Sequence, residues 1–228
     1  MCLILNIETS TEVCSIGLAK EGILLSLQES EEPYQHASQI TLLIAKCMEE
    51  AGYKLQDLDA VAISTGPGSY TSLRVGTSTA KGICYALDKP LIAINTLQSL
   101  AHASLEAGLS VDTLFCPMID ARRMEVYTAL FDDQLNEVKP LQALIVEEDS
   151  FDRFFEKNIP IVFSGNGAPK CKTVLKHPLA SFFPQLCSAK HLIKSSKESF
   201  QSQQFVDVAH YKPNYFKAPN ITKPKKIL

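Results

Sequence analysis

Two short polar stretches of this 228-residue chain carry side chains able to hold a phosphate, a carboxylate or a hydrated cation. Glu8-Thr9-Ser10-Thr11 follows the apolar run Leu3-Ile4-Leu5, and Asp120-Ala121-Arg122-Arg123 follows the apolar run 114–119. In each, a carboxylate stands where a strand runs out, and carboxylate oxygens suit a hard cation such as Mg²⁺. The hydroxyls of Thr9, Ser10 and Thr11 can donate hydrogen bonds to the same ligand. The other reading is that each carboxylate only ends its strand and caps a turn.

A third stretch joins them. Ala60-Val61-Ala62-Ile63 runs into Gly66-Pro67-Gly68, and a segment rich in small residues continues to Leu87. This reads as strand, tight loop and helix, with Ser69 or Thr71 placed to cap the helix. Free N–H groups at a helix start can hold an anion, and Arg74 lies one turn in. No Gly-Lys-Ser/Thr follows at the spacing of a nucleotide-binding P-loop, so an ordinary strand-to-helix turn stands beside the anion-loop reading. Gly76 and Gly82 inside the helix each cost about 1 kcal/mol against alanine. Close approach of another backbone compensates, from the same domain or from another protein.

The remaining reactive residues exclude more than they suggest. His36, His102, His177, His191 and His210 include no pair at i, i+3 or i, i+4, so the sequence offers no helical metal motif. His36 precedes a helix and reads as a cap or an interface residue, and His102 as a structural histidine. The seven cysteines are scattered singly without a Cys-x-x-Cys pair, which predicts buried, reduced thiols in a cytoplasmic protein. No cysteine and histidine share a recognisable catalytic setting, so a peptidase ranks last. The net charge of −3 makes no demand for nucleic acid, although Lys212, Lys217, Lys223, Lys225 and Lys226 form a basic tail. There is no signal-peptide pattern and no apolar run of membrane-spanning length.

The elements that must position these groups repeat. Short strands at 3–5, 13–19 and 23–27, the last two joined by a turn at Lys20-Glu21-Gly22, lead to an amphipathic helix at 37–52. A strand at 60–64, the small-residue helix, a strand at 91–94 and a helix from about 96 to 109 complete the first half. Strands at 114–119, 125–131 and near 135–138 open the second, followed by a helix at 150–156, a strand at 161–164, the break Gly165-Asn166-Gly167 and a helix around 170–175. Segments 142–149 and 178–190 carry no clear period. The order predicts a duplicated α/β unit of the ribonuclease-H/actin type (ASKHA) in two lobes, 1–109 and 110–228 with the basic tail. Such a duplication sets Glu8 against Asp120 across a central cleft, where a pair of carboxylates can hold Mg²⁺ against nucleotide phosphates.

These motifs together resemble a known family. Ile7-Glu8-Thr9-Ser10-Thr11, the run from Gly66 through Leu73-Arg74-Val75-Gly76, Lys81-Gly82, Pro90-Leu91-Ile92, Ile119-Asp120-Ala121-Arg122-Arg123, Glu125-Val126-Tyr127 and Gly165-Asn166-Gly167-Ala168 resemble the TsaB family, formerly YeaZ, and the likeness extends to Pro213-Asn214-Tyr215. Ser72, where the family pattern usually has glycine, and Glu8, where many members have aspartate, depart from it.

The resemblance implies an accessory, non-catalytic subunit of the machinery that places threonylcarbamoyl on the tRNA adenosine beside the anticodon. The catalytic partner would be a TsaD-type subunit holding a metal through a His-x-x-x-His motif, joined by a TsaE-type ATPase, with tRNA engaged and ATP and Mg²⁺ used at the level of the complex. Carried over by position, the partner interface would be the face of 37–51 with 71–87: His36, Ile40, Leu43, Ile44 and Cys47, then Thr71, Leu73, Arg74, Gly76, Ala80 and Ile83. The same face would invite a homodimer when the partner is missing. Glu8, Thr9, Ser10, Asp120, Arg122, Gly165 and Gly167 would line a vestigial nucleotide cleft. The alternative is an actin-like ATP-dependent phosphotransferase, with Mg²⁺ on Glu8 and Asp120 and the adenosine beside Gly165-Asn166-Gly167. Arg122 and Arg123 crowd the turn that a phosphate would approach.

Overall fold

The apolar runs become two five-stranded sheets. In the computed structural model, which describes residues 2–30, 32–108 and 112–217, the first sheet contains β1 (Leu3–Glu8), β2 (Ser15–Lys20), β3 (Ile23–Glu29), β4 (Ala60–Ser64) and β5 (Leu91–Ile94), in the order β3-β2-β1-β4-β5. The second contains β6 (Leu114–Asp120), β7 (Glu125–Phe131), β8 (Glu137–Ile145), β9 (Ile161–Ser164) and β10 (Ala180–Phe183), in the order β8-β7-β6-β9-β10. Counted from the start of each half, both orders read 3-2-1-4-5. In both, the first three strands pair antiparallel and the last two join in parallel. This is the duplicated, two-lobed ribonuclease-H/actin-like fold. The first hairpin closes through Glu21 and Gly22, both at positive φ, the geometry that matches the right-handed twist of the flanking strands.

Helices cover the sheets where their apolar stripes dictate. α1 (His36–Glu50) and α2 (Tyr70–Leu87) lie over one face of the first sheet. Ile40, Ile44, Cys47, Ala80 and Cys84 pack there against Leu5, Ile7, Ile16 and Val61. α3 (Thr96–Glu106) buries Leu97, Leu100 and Ala101 against Phe115, Ile119 and Phe131 of the second sheet. The far face of that sheet meets the short helices α4 (Asp152–Phe155) and α5 (Ala168–Cys171) through Phe151, Phe154, Phe155 and Phe163. Each such side chain, fully buried, contributes about 1.5–3 kcal/mol. The chain then returns to the first lobe. A 3-10 turn at Ala189–Leu192 and α6 (Ile193–Gln201) set Leu192 and Phe200 against Ile4, Ile92 and Ile94.

Several boundaries differ from expectation. β8 runs to Ile145 rather than stopping near 138, because this half-exposed edge strand tolerates Lys139, Pro140 and Gln142. The helix expected around 170–175 is the single turn α5 beginning at Ala168; β10 lies in the unassigned segment 178–190, and α6 is too polar and short to be expected from apolar content. α3 stops at Glu106, and Leu109 lies outside the described residues, as do Lys223, Lys225 and Lys226 of the basic tail. All seven cysteines are buried and unpaired. Among the described residues no helix is long and apolar enough to cross a membrane.

Candidate functional site

The lobes meet at a cleft of about 450 Å³. One wall is the loop after β1, with Ser10, Thr11 and Glu12, together with Gly68, Ser69 and Tyr70 at the start of α2. The other is the end of β6, with Asp120 and Arg122, and Asn166 from the loop after β9. Residues 215–217 close one side. Most of the predicted polar stretches therefore do converge.

Glu8 does not join them. It is buried beneath its own loop, with one carboxylate oxygen accepting from the Ser10 N–H at 2.6 Å and the Ser64 hydroxyl at 3.0 Å and the other unpartnered. Burial pushes its pKa up, which favours the neutral acid over the charged form a cation would need. The lid is the Gly66-Pro67-Gly68 loop: the Ser69 N–H donates to the Ser10 carbonyl at 2.7 Å. A Cβ on Gly68 would lie 2.3 Å from that same carbonyl oxygen, so only glycine fits. The expected arrangement of Glu8 and Asp120 sharing one Mg²⁺ is thus replaced by one sealed acid and one open carboxylate.

Asp120 is occupied as well. Its carboxylate accepts from the Arg122 N–H at 2.8 Å and forms an ion pair with Lys170. Arg122 and Arg123 both sit at positive φ in the turn that follows. Gly165 and Gly167 do not border an open nucleoside site; a Cβ on either would approach the Met118 carbonyl oxygen, at 2.3 and 3.0 Å. They let the loop lie against β6, and Asn166 reaches across the cleft. Its amide donates to Glu12 at 2.6 Å while its oxygen accepts from the Asp120 N–H at 3.0 Å. Among the described residues no three His, Cys, Asp or Glu side chains form a group able to hold a metal ion.

Ser69 caps α2, as its position suggested, accepting from the Ser72 N–H at 3.4 Å. Arg74 does not itself line the cleft but donates to the Tyr70 hydroxyl at 3.2 Å, with its guanidinium 5.4 Å from that ring. The other residues assigned to a partner face divide sharply. His36, Ile40, Leu43, Ile44, Cys47, Leu73, Gly76 and Ala80 are buried within this chain, Ile83 is half-buried, and Thr71 and Arg74 are exposed. The close approach at Gly76 is internal and comes from a side chain rather than the backbone expected: a Cβ there would meet the Thr9 hydroxyl at 2.2 Å. Gly82, by contrast, has no atom within 4 Å of such a Cβ. The outward faces of α1 and α2 present Leu42 and Tyr85, 62% and 87% exposed, and Leu42 stands off the stripe of Ile40, Leu43, Ile44, Cys47 and Met48 that α1 buries.

The geometry now has company. A family profile described as TsaD, tRNA N6-adenosine threonylcarbamoyltransferase, matches residues 31–223. A Bacillus subtilis protein named tRNA threonylcarbamoyladenosine biosynthesis protein TsaB is 28% identical over 219 residues, covering 94% of this chain and 93% of that one. The chain belongs to this family, on its TsaB (YeaZ) branch. The Escherichia coli TsaB is 32% identical over 133 residues, 58% of this chain and 56% of its own length. A solved structure titled YeaZ from Pseudomonas aeruginosa superposes with a TM-score of 0.80 at 26% identity, covering 94% of this chain and all of that one. The TsaB branch thus shares the two-lobed framework over nearly the whole length described.

Proposed function

We propose that this chain serves tRNA threonylcarbamoyladenosine biosynthesis as a non-catalytic subunit that binds and supports a TsaD-type catalytic subunit. The names of its relatives place them in that process. The observation that carries the non-catalytic part is the sealing of Glu8 beneath the Ser10–Ser69 contact. An actin-like phosphotransferase needs that carboxylate facing Asp120 across the cleft, and here it is buried beneath its own loop, where burial favours the neutral acid. On this reading a TsaE-type ATPase and the tRNA join at the level of the assembled complex, in the cytoplasm, and ATP and Mg²⁺ are used there.

The partner face is the outward side of α1 and α2, on the same helices that the resemblance indicated but through different residues. Leu42 and Tyr85 are exposed apolar side chains there, and Gly82 is an exposed glycine in mid-helix where alanine would favour the helix by about 1 kcal/mol. A partner backbone approaching closely explains its retention. Light scattering of the chain mixed with a TsaD-type subunit tests this. One-to-one complex formation lost in Gly82→Leu, with the thermal midpoint of the free chain not lowered, supports the face; an undiminished complex contradicts it. Run without the partner, the same measurement shows whether this face also forms a homodimer.

A further inference from the structure

Residues 211–217 form a strap with two unlike halves. The first half is anchored to the first lobe. Lys81 donates to the carbonyls of Ala209 and Tyr211 at 3.0 and 3.3 Å, and the Asn214 N–H donates to the Thr65 carbonyl at 2.8 Å. Tyr211 packs on the core beneath α2, and Pro213 is buried. Gly66 leaves room for the crossing, since a Cβ there would lie 2.9 Å from the Asn214 carbonyl oxygen. Tyr215 then packs at a tilt against Tyr70 at the head of α2, with centroids 4.6 Å apart.

The second half grips the other lobe. Phe216 meets Tyr127 edge to face at 5.8 Å, and Lys217 pairs with Glu125, both partners lying on β7. These contacts are open to water: Phe216 is 41% exposed, and the side chains of Lys217 and Glu125 are 45% and 23% exposed. Exposed ion pairs hold weakly and are screened by salt. Firm anchoring on one lobe and a releasable hold on the other is the construction of a latch, and residues 215–217 are also a wall of the cleft.

We infer that this strap is a latch between the lobes, and that release of Phe216 and Lys217 from β7 lets the cleft widen while the strap stays attached at Tyr211 and Asn214. The inference is independent of the partner reading, since it concerns the free chain. The test is a pair of spin labels on the full-length protein, at Lys46→Cys on α1 and Gln134→Cys in the turn between β7 and β8. The native cysteines are all buried, so labelling falls on the two new ones. Phe216→Ala/Lys217→Ala is expected to shift the interlobe distance distribution to longer, broader values, and high salt to shift the parent in the same direction. An unchanged distribution in the double variant overturns the latch. Should that variant fail to fold, Lys217→Glu alters only an exposed charge. Broadening reversed by adding Glu125→Lys supports the latch, and no broadening, or broadening that the charge swap fails to reverse, overturns it.

Discussion

Asn166 donates its side-chain amide to the Glu12 carboxylate at 2.6 Å, across the cleft and 154 residues along the chain. With its oxygen on the Asp120 N–H, one carboxamide ties the loop after β1 to the end of β6. Both partners are half-buried, so the bond is neither freely exchanged with water nor sealed from it.

Removing that tie is expected to cost about 1–2 kcal/mol, because Asn166→Ala leaves an acceptor on Glu12 and a donor on Asp120 without their partner. Asn166→Asp is expected to cost more at neutral pH, since it sets a carboxylate against Glu12. Urea unfolding of the two variants checks the order, and equal stability of wild type and Asn166→Asp contradicts it.

Gly76 and Gly82 are expected to respond with opposite signs. Gly76→Ala drives a Cβ into the Thr9 hydroxyl and is expected to destabilise by about 1–3 kcal/mol. In a Thr9→Ala background the clash eases, so the two changes are expected to be strongly non-additive. Gly82→Ala points into open space and is expected to stabilise by up to about 1 kcal/mol. Thermal midpoints of the single variants and the double-mutant cycle read these effects directly.

Acid sensitivity is expected to run through His191. Burial, helped by neighbouring Lys190, holds its pKa down to about 4, against 6.5 for a free imidazole. As pH falls below 6.5 the unfolded chain takes up a proton that the folded chain refuses, so stability declines from about pH 6.5 to about pH 4 and this contribution is flat below. The full decline is on the order of 3 kcal/mol. His36 and His102, also lowered by burial, act with the same sign. Glu8, raised by burial, acts oppositely: its contribution is lost as pH rises through its folded value. Denaturant unfolding from pH 7 to 4 is expected to show a shallower slope in His191→Gln; an unchanged slope removes His191 from the account.

Much of the fold was legible because strands of the inner sheets are apolar along their whole length, as Leu3-Ile4-Leu5 and Ile161-Val162-Phe163 are, and because the same order of elements recurs. The failures share a cause. β8 is an edge strand whose exposed positions admit proline and lysine, so its alternation is blurred, and α6 is a short, mostly polar helix with few apolar residues to announce it. For the site, sequence located the loops but not their contacts. Gly76 signalled a close approach without saying that Thr9 makes it, and Glu8 stood at a strand end without revealing that Gly68 and Ser10 close over it. On α1 the three- and four-residue spacing did mark the core side, since Ile40, Leu43, Ile44, Cys47 and Met48 are buried and Leu42 stands off that stripe.

The decisive experiment is the yield of threonylcarbamoyl-modified tRNA in a reconstituted mixture of tRNA, an activated threonylcarbamoyl donor, this chain, a TsaD-type subunit, a TsaE-type ATPase and ATP. Glu8→Gln/Asp120→Asn, which keeps the acceptor for Ser10 and Ser64 but removes both carboxylates, is expected to support wild-type yield, whereas Gly82→Leu is expected to lose it together with the complex. Loss of yield in Glu8→Gln/Asp120→Asn while the complex still assembles, or full yield in Gly82→Leu, would contradict a partner-binding subunit whose Glu8 is sealed from the cleft.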